Sequence, residues 1–117
     1  MLMDHERLDV YVVSVALREV LRDVVPRRGG AGLRDQLSRA NASIVLNIAE
    51  GAGRTAKADK QRFYEIARGS ATESAAALNL LRIDRLVGDA DYRRARGLLE
   101  RIVAMLTRLC GPPRTVG

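Results

Sequence analysis

The chain has 117 residues, 47% of them apolar, and a formal net charge of +6. That length suits one domain, and the apolar share can fill a core. A lone cysteine, Cys110, excludes an internal disulfide, and no apolar run reaches the roughly 20 residues needed to span a bilayer.

The N-terminal "MLMDHERLDV" has early acids and no basic segment ahead of an apolar one, unlike a signal peptide. A soluble protein of the reducing cytoplasm is expected, with no membrane partner. Val10, Val13, Leu17, Val20 and Val24 recur at three and four residues and predict a helix over about 5–25. Val12 and Leu21 widen its stripe. Pro26 and "RRGGAG" end it. The glycines invite comparison with a phosphate cradle, but the Gly-Lys-Ser/Thr of a P-loop and a preceding strand are both missing.

Leu33, Leu37, Ala40, Ile44 and Ile48 predict a second helix over about 33–52, closing near Gly51 and Gly53. A third is expected over about 57–87, carrying Phe63, Ile66, Ala67, Leu78, Leu81 and Ile83. Its middle, "GSATESAAA", is nearly all small residues, which let two helix backbones approach closely. Gly69 and Ala75 to Ala77 are the expected close-approach surface. The fourth, over about 91–110, carries Tyr92, Ala95, Leu99, Ile102, Leu106 and Leu109. "GPP" stops it, and the last residues are expected to fray. Four helices with short loops imply an all-α, antiparallel up-down four-helix bundle, with residues 1–117 as a single domain.

Within "SIVLNIAEGAGR", residues 43–54, an amide and a carboxylate interrupt an apolar run. Arg39, Ser43, Asn47, Glu50 and Arg54 are spaced to form one stripe. Folding the third helix back about a turn near residue 56 sets Arg39 opposite Glu73, Ser43 opposite Gly69, Asn47 opposite Glu65, and Glu50 opposite Arg62. A slip of one turn substitutes Arg68 for Arg62. A polar seam between packed helices is therefore expected, with Arg39–Glu73 as a buried pair that holds register.

Catalytic alternatives are weaker. Each of Glu50, Glu65 and Glu73 has an arginine within expected reach, which keeps it ionised. His5 is the sole histidine, so the Glu-x-x-His pairs of a di-metal bundle are absent. Cys110 has no histidine beside it and suits packing at an apolar helix end. No enzyme activity, cofactor or metal is expected.

Basic residues number 18 Arg and 2 Lys. Arg94, Arg101 and Arg108 recur every seven residues along the fourth helix, with Arg93 and Arg96 thickening one end. Arg54, Lys57 and Lys60 form a second cluster at the turn between the second and third helices. Such rows are candidate phosphate tracks, or else solvated faces. Without stacking aromatics they favour backbone contacts over base readout.

Two segments carry a more specific signal. "LRDQLSRANASIVLNIAEGAGR" supplies Gln36, Leu37, Arg39, Ala40, Ser43, Ile44, Asn47, Ile48, Ala49, Glu50, Gly51, Gly53 and Arg54. "FYEIARGSATES" supplies Phe63, Ala67, Arg68, Gly69, Ser70 and Glu73. Together they resemble the signature of the four helix bundle protein family, also called the 23S rRNA intervening-sequence family. Helix one departs from that pattern: it has only Tyr11, where relatives tend to have a Trp or another aromatic, and the loop after it is unusually rich in glycine. The resemblance implies a four-helix protomer assembling into a ring-like homopentamer, with no established enzymatic activity. It also implies distant kinship with accessory proteins of retroelements, which work with a reverse transcriptase and bind nucleic acid. The expected function is thus a basic oligomer that binds RNA or DNA through phosphates. A structural or protein-interaction oligomer without nucleic acid is the alternative.

Overall fold

The computed structural model describes residues 2–111, and the expected fraying of the C-terminal residues lies outside them. A 3-10 turn at Asp4–Arg7 precedes four helices: α1 Asp9–Val24, α2 Ala31–Gly53, α3 Lys57–Ile83 and α4 Asp89–Cys110. No strand occurs among the described residues. Each helix packs on two neighbours, α1 on α2 and α4, and α3 on α2 and α4, which is the square of a four-helix bundle.

The core rows follow from helical period. Val10, Val13, Leu17, Leu21 and Val24 of α1 are buried, as are Leu37, Ile44 and Ile48 of α2. Along α3 the buried row is Tyr64, Ala67, Ala71, Ser74, Leu78 and Leu81, stepping alternately by three and four. Ala95, Leu99, Ile102, Leu106 and Cys110 complete it from α4. Each large apolar side chain so buried contributes about 1.5–3 kcal/mol against leaving it in water.

Several expected core residues lie off these rows. Ile66, Ile83 and Leu109 are exposed, as is Val12, and Tyr64 is more deeply buried than Phe63. One residue of offset is about 100° of helix rotation, enough to turn a side chain outward. The helix ends also differ. The segment 4–7 is a 3-10 turn and Leu8 is extended, so α1 begins at Asp9. Helix α3 stops at Ile83, because the Leu86 amide turns back onto the Leu81 carbonyl at 2.8 Å and Arg85 adopts φ 58°. That frees Val87 to join the core and Leu86 to pack against it.

The glycines have specific tasks. Gly29 and Gly30 have φ of 86° and 66°, and a Cβ on either would lie 2.9 or 2.7 Å from a Leu86 methyl. The glycine-rich loop is therefore a packing surface for Leu86, as close as a bare backbone permits. At the other end, a Cβ on Gly51 would lie 2.8 Å from the Tyr64 ring, so Gly51 lets α3 approach α2. Gly69 has open space around it, and Ala76 is exposed; the close approach within this chain is made by Ala67, Ser70, Ala71, Ser74 and Ala77.

Candidate nucleic-acid interface

The expected seam is narrower than its charges suggest. Its centre is Ser43 Oγ, 2.8 Å from Ser70 Oγ, with Asn47 Nδ2 donating to the Ser43 carbonyl at 2.8 Å and to Ser43 Oγ at 3.1 Å. Gln36 donates to Glu73 at 3.0 Å. These links place α3 against α2 within a turn of the mirrored register.

The charged pairs, however, form along single helices. Arg39 pairs with Asp35 at 3.6 Å, and both side chains are largely exposed at 75% and 68%. Glu50 pairs with Arg54 at 3.8 Å. Arg62 lies over the Phe63 ring, 4.8 Å from its centroid. Arg39–Glu73 and Glu50–Arg62 are thus corrected, and neither is a buried pair. In water an ion pair is worth little, so a neighbour one turn away on the same helix suffices. Asn47 bonds within α2, and Glu65 has no ion pair among the described residues. Arg68 turns to α4, donating to the Gly111 carbonyl and, at 3.4 Å, to Thr107 Oγ1. Gln61 bonds the Cys110 carbonyl at 2.9 Å. Together they satisfy carbonyls at the end of α4.

The α2–α3 cluster divides in the same way. Lys60 Nζ donates to the Gly51 and Ala52 carbonyls at 3.1 and 3.0 Å, capping α2. Arg54 lies 5.0 Å from the Phe63 centroid besides its pairing with Glu50. Lys57 is exposed.

The α4 stripe is different. Arg94, Arg101 and Arg108 are all exposed, and none makes a hydrogen bond or ion pair among the described residues. At a rise of 1.5 Å per residue they stand about 10 Å apart. Leu98 and Met105, between them on the same side, are partly buried against the core and anchor that face. Asp9 and Arg108 border one shallow groove between the start of α1 and the end of α4. Arg93 is exposed, but Arg96 faces α3, bonding Glu100 at 3.1 Å and Asn79 at 3.3 Å. It does not extend the stripe.

One arginine went unrecognised in the sequence. Arg34 is buried, and its guanidinium donates to the carbonyls of Val24, Gly29 and Leu86, the last at 2.6 Å. It ties the end of α1, the glycine loop and the α3–α4 loop together. Burial, and then the nearby Arg27, hold its pKa below the usual arginine value. Asn41 is similarly buried, accepting from Arg18 at 3.3 Å and donating to the Ser14 carbonyl at 3.4 Å. A signal existed: Arg34, Leu37, Asn41, Ile44 and Ile48 step by three and four, so both polar residues lie on the core row.

Nothing at Cys110 resembles an activated nucleophile. Its thiol donates to the Leu106 carbonyl at 3.0 Å, and burial pushes its pKa up, outweighing the opposing effect of Arg68. Among the described residues no three His, Cys, Asp or Glu side chains gather to hold a metal, and no helix is long and apolar enough to cross a membrane.

The fold is similar to that of a crystal structure from Bacteroides thetaiotaomicron, a protein of unknown function from the S23 ribosomal protein family. The two align with a TM-score of 0.81 and 19% identity, over 88% of this chain and 99% of the other. No curated protein matches the chain. The model of the 23S rRNA-intervening sequence protein family matches residues 6–108, from the turn before α1 to the last turn of α4, and the chain belongs to that family.

Proposed function

We propose that this protein is a non-enzymatic, basic, oligomeric bundle that binds nucleic acid through its phosphates, as an accessory to rRNA or to a reverse transcriptase. The observation that carries it is the α4 stripe: Arg94, Arg101 and Arg108 are exposed on one face with no partner among the described residues. Arg34, Arg39, Arg54 and Arg68, by contrast, have partners within the chain. Unpaired guanidiniums on a rigid helix suit phosphate oxygens and release counterions on binding. A homo-oligomer, a pentamer by family resemblance, would repeat the +6 charge of each copy and enlarge its field. The absence of catalysis is supported by the raised thiol of Cys110 and the pairing of Glu50.

The experiment is the triple reversal of Arg94, Arg101 and Arg108 to Glu. The fold should survive, because the buried row from Ala95 to Cys110 is untouched. Affinity for RNA and DNA should fall for all sequences alike, since phosphate contacts carry no base information. Wild-type affinity should decline with salt, with a log–log slope of about −0.7 to −0.9 per phosphate neutralised. Wild-type strength in a folded triple variant would reduce the stripe to a solvated face. The second reading, a protein-interaction oligomer, is favoured by Leu46, which is 67% exposed and borders a groove with Met3 and Ala49. Wild type that binds neither RNA nor DNA at low salt would select it.

A further inference from the structure

A hollow between α3 and α4 is bordered by Asn79, Arg82, Ile83, Tyr92 and Arg96, with no carboxylate in its lining. The Arg82 guanidinium lies 4.3 Å from the Tyr92 ring centroid, and Arg82 is exposed with no hydrogen bond or ion pair among the described residues. Tyr92 is held from the other side: its hydroxyl donates to Asn79 Oδ1 at 2.7 Å, and Arg96 Nη1 donates to the same oxygen at 3.3 Å. Glu100 holds Arg96 in turn. Asn79 Nδ2 keeps no partner among the described residues. Ile83 at the edge is 73% exposed, a large apolar side chain in a basic setting.

We infer that this hollow takes an unpaired nucleotide of single-stranded RNA, its base stacking on the Arg82–Tyr92 pair and against Ile83, its phosphate meeting the free donors of Arg82. Each requirement of such a ligand has a counterpart here: a flat π-capable surface, an apolar edge, an amide donor and cations. Stacking on aromatic and guanidinium planes is the usual means of holding unpaired bases, and a base inside a duplex cannot offer its face. Phe63 differs: two guanidiniums, Arg54 and Arg62, lie over its ring, and Arg54 is also held by Glu50. The inference rests on the nucleic-acid reading and adds to it the strandedness of the ligand.

The test measures fluorescence anisotropy of the full chain with a labelled 12-nucleotide RNA, single-stranded or annealed to its complement. Wild type should prefer the single strand. Arg82→Lys keeps the charge but removes the plane. It should weaken single-strand binding by about 5- to 20-fold and leave duplex binding within about 2-fold, at unchanged salt slope. Circular dichroism checks that the variant is folded, as expected for an exposed side chain. Equal wild-type affinity for both forms, or an Arg82→Lys variant that binds the single strand like wild type, overturns the inference and leaves the phosphate track standing. A uniform loss on both forms makes Arg82 a plain phosphate contact and also overturns it. Wild type that binds neither form ends both.

Discussion

Arg34 and Arg101 are the same residue in opposite circumstances. Arg34 is buried at the loop end of the bundle, with its donors given to three backbone carbonyls from three segments. Arg101 stands exposed on α4, with no partner among the described residues. The comparison teaches that an arginine's role follows from where its N–H groups end. Guanidinium donors held by carbonyls make architecture, because removing them strands buried acceptors. Donors left in water cost the fold nothing and remain available to a ligand. Net charge counts both kinds equally, so +6 overstates the free charge in one place and hides it in another.

The largest expected effect breaks the architectural side. Arg34→Ala should destabilise the protein by about 4–5 kcal/mol, taking each of three lost hydrogen bonds at the low end of the roughly 1.5–3 kcal/mol that a charged donor supplies. Urea unfolding measures it. Arg34→Lys should recover little, because one ammonium cannot reproduce a planar fork toward three carbonyls. A loss under about 1 kcal/mol for the alanine variant would erase the contrast with Arg101.

An intermediate effect of opposite sign is expected at Arg85, which occupies a left-handed position at φ 58° after α3. Glycine adopts that conformation without the Cβ penalty, so Arg85→Gly should stabilise by about 1 kcal/mol. A raised urea midpoint at constant slope would confirm that the exposed arginine makes no compensating contact; a lowered one would move it to the architectural class. The smallest effects should come from Arg101→Ala and Arg39→Ala. Each should change stability by less than about 0.5 kcal/mol, because an exposed arginine, even with the Asp35 partner of Arg39, adds little in water. Only the Arg101 variant should also weaken RNA binding, read by the same anisotropy assay.

Sequence periodicity by itself determined the fold class. Rows at three and four residues require helices that bury one face, and four such helices joined by short loops pack as a bundle, which is the observed architecture. The family was legible as well, because "NIAEG" and "ARGS" stand in the order of the signature the chain resembles, and the family model matches residues 6–108. Tertiary structure decided the partners. Arg68 lies one turn from residues facing α2, yet helix rotation directs it to the end of α4. Lys60 belongs to a basic cluster in sequence but reaches two carbonyls that only the folded turn presents. The Leu86 carbonyl meets Arg34 across 52 positions, and Arg82 finds Tyr92 because the helix end at Ile83 brings α4 beside α3. Backbone period is a local property that a short stretch of chain sets. A charged side chain's partner is the nearest group among all the helices, and that depends on rotations and loop paths that no single stretch contains.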